Sequence, residues 1–287
     1  MRHLAPLLLA TAAALSGCNA MHQNPADPSA ADDQYKLGYA AEFGDHQVRN
    51  GALAARWYRK AAAQGYAPAQ YRLGLLYEGG NGVDTDAAIA DGWYSKAAAQ
   101  GVIEAQLKLC QAYINGTGIA PDDSQALTWC QQAATQGDPQ AIVELGLMYQ
   151  RGKGVDQNSV TARQWFAKAA ERGYPSAQLL LAESYLHATP PEPARGAHWL
   201  RRAAAQGNMA AWHLLSGLYQ NGSGVARDLV LAEACLLIMD PPPTSSVADE
   251  RDQIAGKLNV TQQLEAQQIA KAWVTGQPLQ EKSKSWK

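Results

Sequence analysis

The sequence predicts an all-α protein, a right-handed α-solenoid of stacked helix hairpins, and two observations carry that expectation. Five tryptophans, Trp57, Trp93, Trp129, Trp165 and Trp199, stand 36, 36, 36 and 34 residues apart. A leucine column (Leu37, Leu73, Leu109, Leu145, Leu181, Leu215), a tyrosine column (Tyr77, Tyr113, Tyr149, Tyr185, Tyr219) and a glycine column (Gly65, Gly101, Gly137, Gly173, Gly207) keep the same register. A repeat of this length is one supersecondary unit that cannot bury its apolar face alone, so successive units stack. A single enzyme-type core is not expected.

The chain opens with Arg2 and His3 ahead of an apolar run from Leu4 to Leu15, too short to span a bilayer. This pattern reads as a signal peptide over residues 1–17. Its ending, Leu15-Ser16-Gly17-Cys18, resembles the bacterial lipobox, which implies that Cys18 is lipidated and becomes the mature N-terminus. Asn19 follows where aspartate would be the retention signal, which by the same resemblance implies sorting to the outer membrane. Residues 18–31, with Pro25 and Pro28, read as the lipidated end and a flexible tether. At up to ~3.6 Å per residue, the thirteen residues of this tether reach no more than about 45 Å. The protein is therefore expected on the periplasmic side of the envelope, close to the membrane.

Residues 32–240 are expected to form the solenoid. In one unit Ala69, Leu73, Leu76 and Tyr77 make a stripe at helical spacing, and Ala90, Trp93, Tyr94 and Ala97 make another after a glycine-rich break. The breaks read Gly80-Asn-Gly82-Val83, Gly116-Thr-Gly118-Ile119, Gly152-Lys-Gly154-Val155 and Gly222-Ser-Gly224-Val225. Glycine accepts the left-handed backbone that ends a helix, and the Val or Ile after it turns back toward the core. The first unit, Tyr35 to Gly65, lacks the tyrosine and the Gly-x-Gly loop. The fifth replaces the loop with His187-Ala-Thr-Pro-Pro-Glu-Pro193, and the sixth puts Cys235 in the tryptophan column. Residues 241–275 are expected to cap the array with helices at Val247–Leu258 and Gln262–Trp273, the second N-capped by Thr261. Residues 276–287 read as a disordered tail.

The pattern Ala-x-x-x-Leu-Gly-x-x-Tyr, then Gly-x-Gly-Val, then Ala-x-x-Trp-Tyr-x-x-Ala-Ala-x-x-Gly resembles the Sel-one-like repeat family, a relative of the tetratricopeptide repeat. Ala69 to Gly101 and Ala141 to Gly173 match it closely. The resemblance implies six repeats, a terminal helix pair over the last apolar face, and a concave surface lined by the first helix of each unit.

Composition agrees with an ordered protein: 47% of residues are hydrophobic and 17% charged. The formal charge is 24 − 26 = −2, so there is no basic field for nucleic acid. With Cys18 lipidated, three cysteines remain. Cys110 stands in a column that is otherwise small (Gly38, Gly74, Gly146, Ala182, Ser216). Cys130 stands in one that is otherwise large (Tyr58, Tyr94, Phe166, Leu200, Leu236). A small-plus-large pair has become two of middle size, as a volume-conserving exchange between touching positions would look. A Cys110–Cys130 disulfide with Cys235 reduced follows; two independently buried thiols fit the same columns.

Catalytic readings find little support. His22, His46, His187, His198 and His213 show no metal-ligand spacing, and no cofactor or metal is expected. The Gly-x-Gly loops follow helices, whereas a dinucleotide cradle follows a strand. Asn115-Gly-Thr117, Asn221-Gly-Ser223 and Asn259-Val-Thr261 read as turn and cap residues. Asp84, Asp86, Asp122, Asp123, Asp156 and Asp228 cluster after the loops and read as charges that complement helix N-termini, with no calcium site needed. The candidate partner-binding row on the concave face is Tyr71, Leu75, Glu78, Leu107, Gln111, Ile114, Val143, Leu147, Gln150, His213 and Gln220. The alternative is that its apolar members pack against the neighbouring repeat. The expected function is a non-enzymatic protein-binding adaptor lipoprotein of the bacterial envelope. One alternative is a periplasmic immunity protein against a type VI secretion phospholipase-type toxin. The other is a weak hydrolase or β-lactam binder, for which no nucleophile and base pair is present.

Overall fold

The computed structural model describes residues 30–44, 48–277 and 279, and among them it holds fourteen α-helices and no strand. The chain divides into two compact units after Val102. The first contains α1 (Ala31–Phe43), α2 (Gly51–Ala63), α3 (Ala67–Gly79) and α4 (Ala87–Ala98). The second contains α5 (Ile103–Asn115), α6 (Asp123–Thr135), α7 (Pro139–Arg151), α8 (Ser159–Glu171), α9 (Pro175–Leu186), α10 (Pro193–Ala205), α11 (Met209–Asn221), α12 (Leu229–Met239), α13 (Ser246–Ala255) and α14 (Val260–Ala272). Within each unit helices pack in chain order as hairpins, each hairpin on the next, and α13 and α14 pack on α12. None of these helices is long and apolar enough to cross a membrane.

Local chemistry sets the helix ends. Asn50, Asp86, Asp122, Asn158 and Asp228 cap α2, α4, α6, α8 and α12 by accepting first-turn amides. α14 is capped by Asn259, not Thr261. Asn259 accepts from the Gln262 amide while the Gln262 side chain accepts from the Asn259 amide, and this reciprocal pair outcompetes a lone hydroxyl.

The second glycine of three Gly-x-Gly loops is required by close approach. Gly82 lies on the first turn of α2, Gly154 on that of α6 and Gly224 on that of α10, and a Cβ at any of them would overlap backbone there. In the fifth repeat Ala188, Thr189 and Pro190 cannot approach α8 in this way. A cavity of about 360 Å³ remains, lined by Ser159, Arg163, Ser184, His187, Thr189 and Glu192 among others.

Leu73, Leu109, Leu145, Leu181 and Leu215 are buried, whereas Leu37 is 40% exposed. Within the first unit Leu73 packs against the preceding hairpin, with Ala54, Ala55 and Tyr58, and α1 has no such neighbour among the described residues. The tryptophans are not the deep core either. All five are half-buried, and the buried positions are the next ones along, Tyr58, Tyr94, Cys130, Phe166 and Leu200; in the sixth repeat Cys235, in the tryptophan column, and Leu236 after it are both buried. Each tryptophan sits at the edge of its helix's buried stripe. Four have a cation over the ring three residues on: Lys60 at 4.7 Å, Lys96 at 4.0 Å, Lys168 at 4.9 Å and Arg202 at 4.8 Å.

A glutamine pair recurs within repeats. Gln64 donates to Gln34 (2.9 Å), Gln100 to Gln70, Gln136 to Gln106 and Gln206 to Gln178 (2.8 Å each). The buried amides of Gln70 and Gln178 also donate to the carbonyls of Ala62 and Ala170 in the preceding hairpin. The fourth repeat has Ile142 in the first column and Arg172 in the second, where the Arg172 guanidinium donates instead to the Gly137 carbonyl at 2.7 Å. A buried amide side chain needs a partner, so the two positions change together.

Candidate protein-binding faces

Each first helix buries one stripe and turns the opposite arc outward, and that arc is where partner contacts must come from. In the first unit it carries Tyr71, Leu75 and Glu78 on α3. Tyr71 is half-buried, its ring 5.8 Å from that of Tyr94. Leu75 is half-buried. Glu78 serves the fold as well as the surface, accepting from the Tyr94 hydroxyl at 2.6 Å. The first repeat repeats this contact, with Tyr58 donating to Glu42 at 2.6 Å. Burial pushes both phenols far above their ordinary ionisation range, and the adjoining carboxylates push the same way.

The strongest surface feature of this unit was missed in the sequence reading. Tyr39 and Phe43 on α1 are 44% and 42% exposed, with ring centroids 4.5 Å apart. Arg72 of α3 lies over both rings, 5.5 Å from Tyr39 and 5.1 Å from Phe43, and 3.8 Å from Glu42. Exposed aromatics beside arginine are the side chains that dominate protein interfaces. The available signal was an aromatic pair at i, i+4 on the polar side of α1, off every core column.

In the second unit, α5 touches α7, so successive first helices adjoin. Leu107, Ile114, Val143 and Leu147 are half-buried and pack on the unit's core. For these four the packing alternative describes much of the side chain, because neighbouring first helices close over them. Gln111 is half-buried. Gln150 is half-buried too, and its carbonyl accepts from Gln157 at 2.8 Å. The Gln220 carbonyl accepts from Arg227 at 3.0 Å. His213 lies 2.9 Å from the Glu250 carboxylate of α13, so the terminal helices engage this end of the row. At the far C-terminus Trp273 meets Trp212 edge-on, centroids 5.3 Å apart, and the Gly276 amide donates to the Ala205 carbonyl.

Cys110 and Cys130 are joined by a disulfide between α5 and α6, with Cα atoms 5.1 Å apart. Cys235 is buried in α12. Cys18 and the tether up to residue 29 lie outside the described residues, as do His46 and residues 280–287. Among the described residues no three His, Cys, Asp or Glu side chains gather as a metal-binding group would.

Helix hairpins stacked in register, with variable side chains on the outward arcs of their first helices, define an α-hairpin repeat protein whose surfaces suit protein–protein interaction. The chain belongs to the Sel1 repeat family, whose model matches residues 31–66, 67–102, 103–138, 139–174, 175–208 and 213–238. A Sel1 repeat protein from Oxalobacter formigenes is similar in structure with TM-score 0.66 and 33% identity, over 78% of this chain and 90% of that one. A protective antigen of uropathogenic Escherichia coli displaying an SLR fold is similar with TM-score 0.58 and 29% identity, over 85% of this chain and 60% of that one. An immunity protein of Pseudomonas aeruginosa aligns at 22% identity over 85% of each chain with TM-score 0.39. No curated protein sequence matches the chain.

Proposed function

We propose that this protein is a non-enzymatic scaffold lipoprotein of the bacterial envelope, tethered through Cys18 on the periplasmic side of the outer membrane, that captures protein partners on its first-helix faces. The observation that carries the binding role is the Tyr39, Phe43 and Arg72 cluster. It exposes two aromatic rings that lie off the core columns, with the half-buried Arg72 guanidinium over both. The anchor is supported by the Leu15-Ser16-Gly17-Cys18 ending of an apolar leader. Cys18→Ser should abolish incorporation of labelled palmitate and release the protein from the membrane fraction; equal labelling of the variant would reject the anchor.

The binding role is tested by crosslinked capture from intact envelopes. Tyr39→Glu with Phe43→Glu should cut partner recovery at least about tenfold while the melting temperature stays within a few degrees, since both rings lie outside the buried stripe. Unchanged recovery would reject this face. Capture of one co-encoded toxin, with the gene dispensable in its absence, would establish the immunity reading in place of the scaffold. Turnover of a substrate that one side-chain change abolishes would overturn both.

A further inference from the structure

We propose that the outward face of α2 is a lipid-contact surface that seats the first repeat on a bilayer containing anionic phospholipid. From Gly51 to Ala63 the helix carries Arg56, Arg59 and Lys60 and no acidic residue, and Arg49 stands just ahead of it. Its buried stripe, Ala54, Ala55, Tyr58, Ala61 and Ala62, belongs to the core that includes Leu73 and Leu76 of α3. The opposite side is therefore cationic and partly apolar. Leu53 is 36% exposed, Val48 is 91% exposed, and half-buried Trp57 has the Lys60 ammonium 4.7 Å from its ring. Basic heads around a tryptophan and aliphatic side chains are what a helix lying in the headgroup region presents: the cations meet phosphate while the apolar groups reach the acyl boundary.

Two observations select a bilayer as the occupant. The first is charge complementarity, because each cation held near an anionic leaflet strengthens binding about fivefold. The second is the chain outside the described helices. The inference rests on the anchored reading above, in which the thirteen residues from Cys18 to α1 hold this repeat within about 45 Å of the membrane. α10 makes the contrast. It too lacks acidic residues, and its Arg201 donates to the Tyr219 hydroxyl at 3.3 Å just as Arg59 of α2 donates to that of Tyr77 at 2.9 Å. The difference lies at the start of the helix, where Arg195 is held by Glu192 at 2.7 Å and no large apolar side chain is exposed as Val48 and Leu53 are. Seating α2 on lipid leaves the aromatic cluster of α1 and α3, on the other side of the hairpin, open to a partner.

The test uses residues 18–287 with Cys18→Ser, which retain every described helix and carry no lipid. Binding is measured by cosedimentation with vesicles of phosphatidylcholine alone or with about one third phosphatidylglycerol. The protein should bind the anionic vesicles at least about tenfold more tightly, and high salt should remove most of the difference. Arg49→Glu with Arg56→Glu should weaken anionic binding about tenfold or more, and Leu53→Ser should weaken it several-fold. The same charge reversal on α10, Arg195→Glu with Arg202→Glu, should change it less than about twofold. Equal binding to both vesicles, or equal losses from the α2 and α10 reversals, would overturn the proposal. So would full vesicle binding by the α2 variant together with loss of a crosslinked acidic protein, which would make the face a protein-docking surface. Because the probe is unlipidated, these outcomes do not depend on acylation, and palmitate labelling tests the anchor separately.

Discussion

The repeats at 67–102 and 103–138 fill the same interior space by different means. In the first, Gly74 lies beneath the Tyr94 ring, so closely that a Cβ would come 2.5 Å from the ring, and the ring's hydroxyl donates to Glu78. In the second, Cys110 and Cys130 occupy the glycine and ring positions and are covalently joined, and Ile114 stands where Glu78 did. The fourth repeat shows a third solution, Gly146 beneath Phe166 with Gln150 at the acceptor position. Three positions thus change as a set. A ring with a hydroxyl is given a carboxylate acceptor, and a pair without one is not, because a buried donor left unpaired is costly. Ile114 and Glu78, which the sequence reading offered to a partner, belong to this internal set.

The largest expected effect separates the buried ring column from the tryptophans beside it. Phe166→Ala should cost about 3–5 kcal/mol, because it empties a fully buried site over a glycine that cannot refill it. Trp165→Ala, half-buried, should cost less, about 1–3 kcal/mol by burial alone. Chemical denaturation of the two variants that gave the opposite order would return the tryptophans to the core.

Next comes the covalent solution. Reduction, or Cys110→Ser, should remove about 3 kcal/mol, since the bridge closes a loop with sequence separation 20. Cys110→Gly with Cys130→Phe copies the fourth repeat and should recover a good part of that loss. If the double variant melted below the single one under reducing conditions, the two solutions would not be interchangeable.

The smallest effect concerns the hydroxyl. Tyr94→Phe should cost about 1 kcal/mol at neutral pH by removing the bond to Glu78. The folded-state pKa values of Tyr58 and Tyr94 are raised above the ordinary 10.0, so these phenols ionise more readily in the unfolded chain. Their contribution is intact below about pH 10 and is lost as pH rises beyond it. Replacing both by Phe should flatten that alkaline decline in melting temperature. An unchanged slope would mean the hydroxyls contribute nothing to it.

The repeat register, the helix hairpins and the acidic helix starts at Asp86, Asp122 and Asp228 were legible in the sequence because each depends on a few residues adjacent in the chain; that these aspartates cap by accepting first-turn amides is seen only in the structure. The candidate faces were less so. Tyr39 and Phe43 escaped notice because α1 has no repeat before it among the described residues, and exposure at an array's end is a matter of what is stacked on it. His213 reads as open surface until α13 places Glu250 beside it. The glutamine pairs went unread although both columns recur, because helical periodicity marks apolar stripes and says nothing of polar groups that satisfy one another inside.

By itself the sequence determined the all-α repeat architecture and the place where each hairpin turns, because periodicity, glycine and capping act over a few residues. Only the tertiary structure decided which columns are core. One position along a helix is a rotation of about 100°, enough to put Phe166 fully inside and leave Trp165 at the edge under Lys168. That choice depends on what the neighbouring hairpin brings against the helix, and no local pattern contains it.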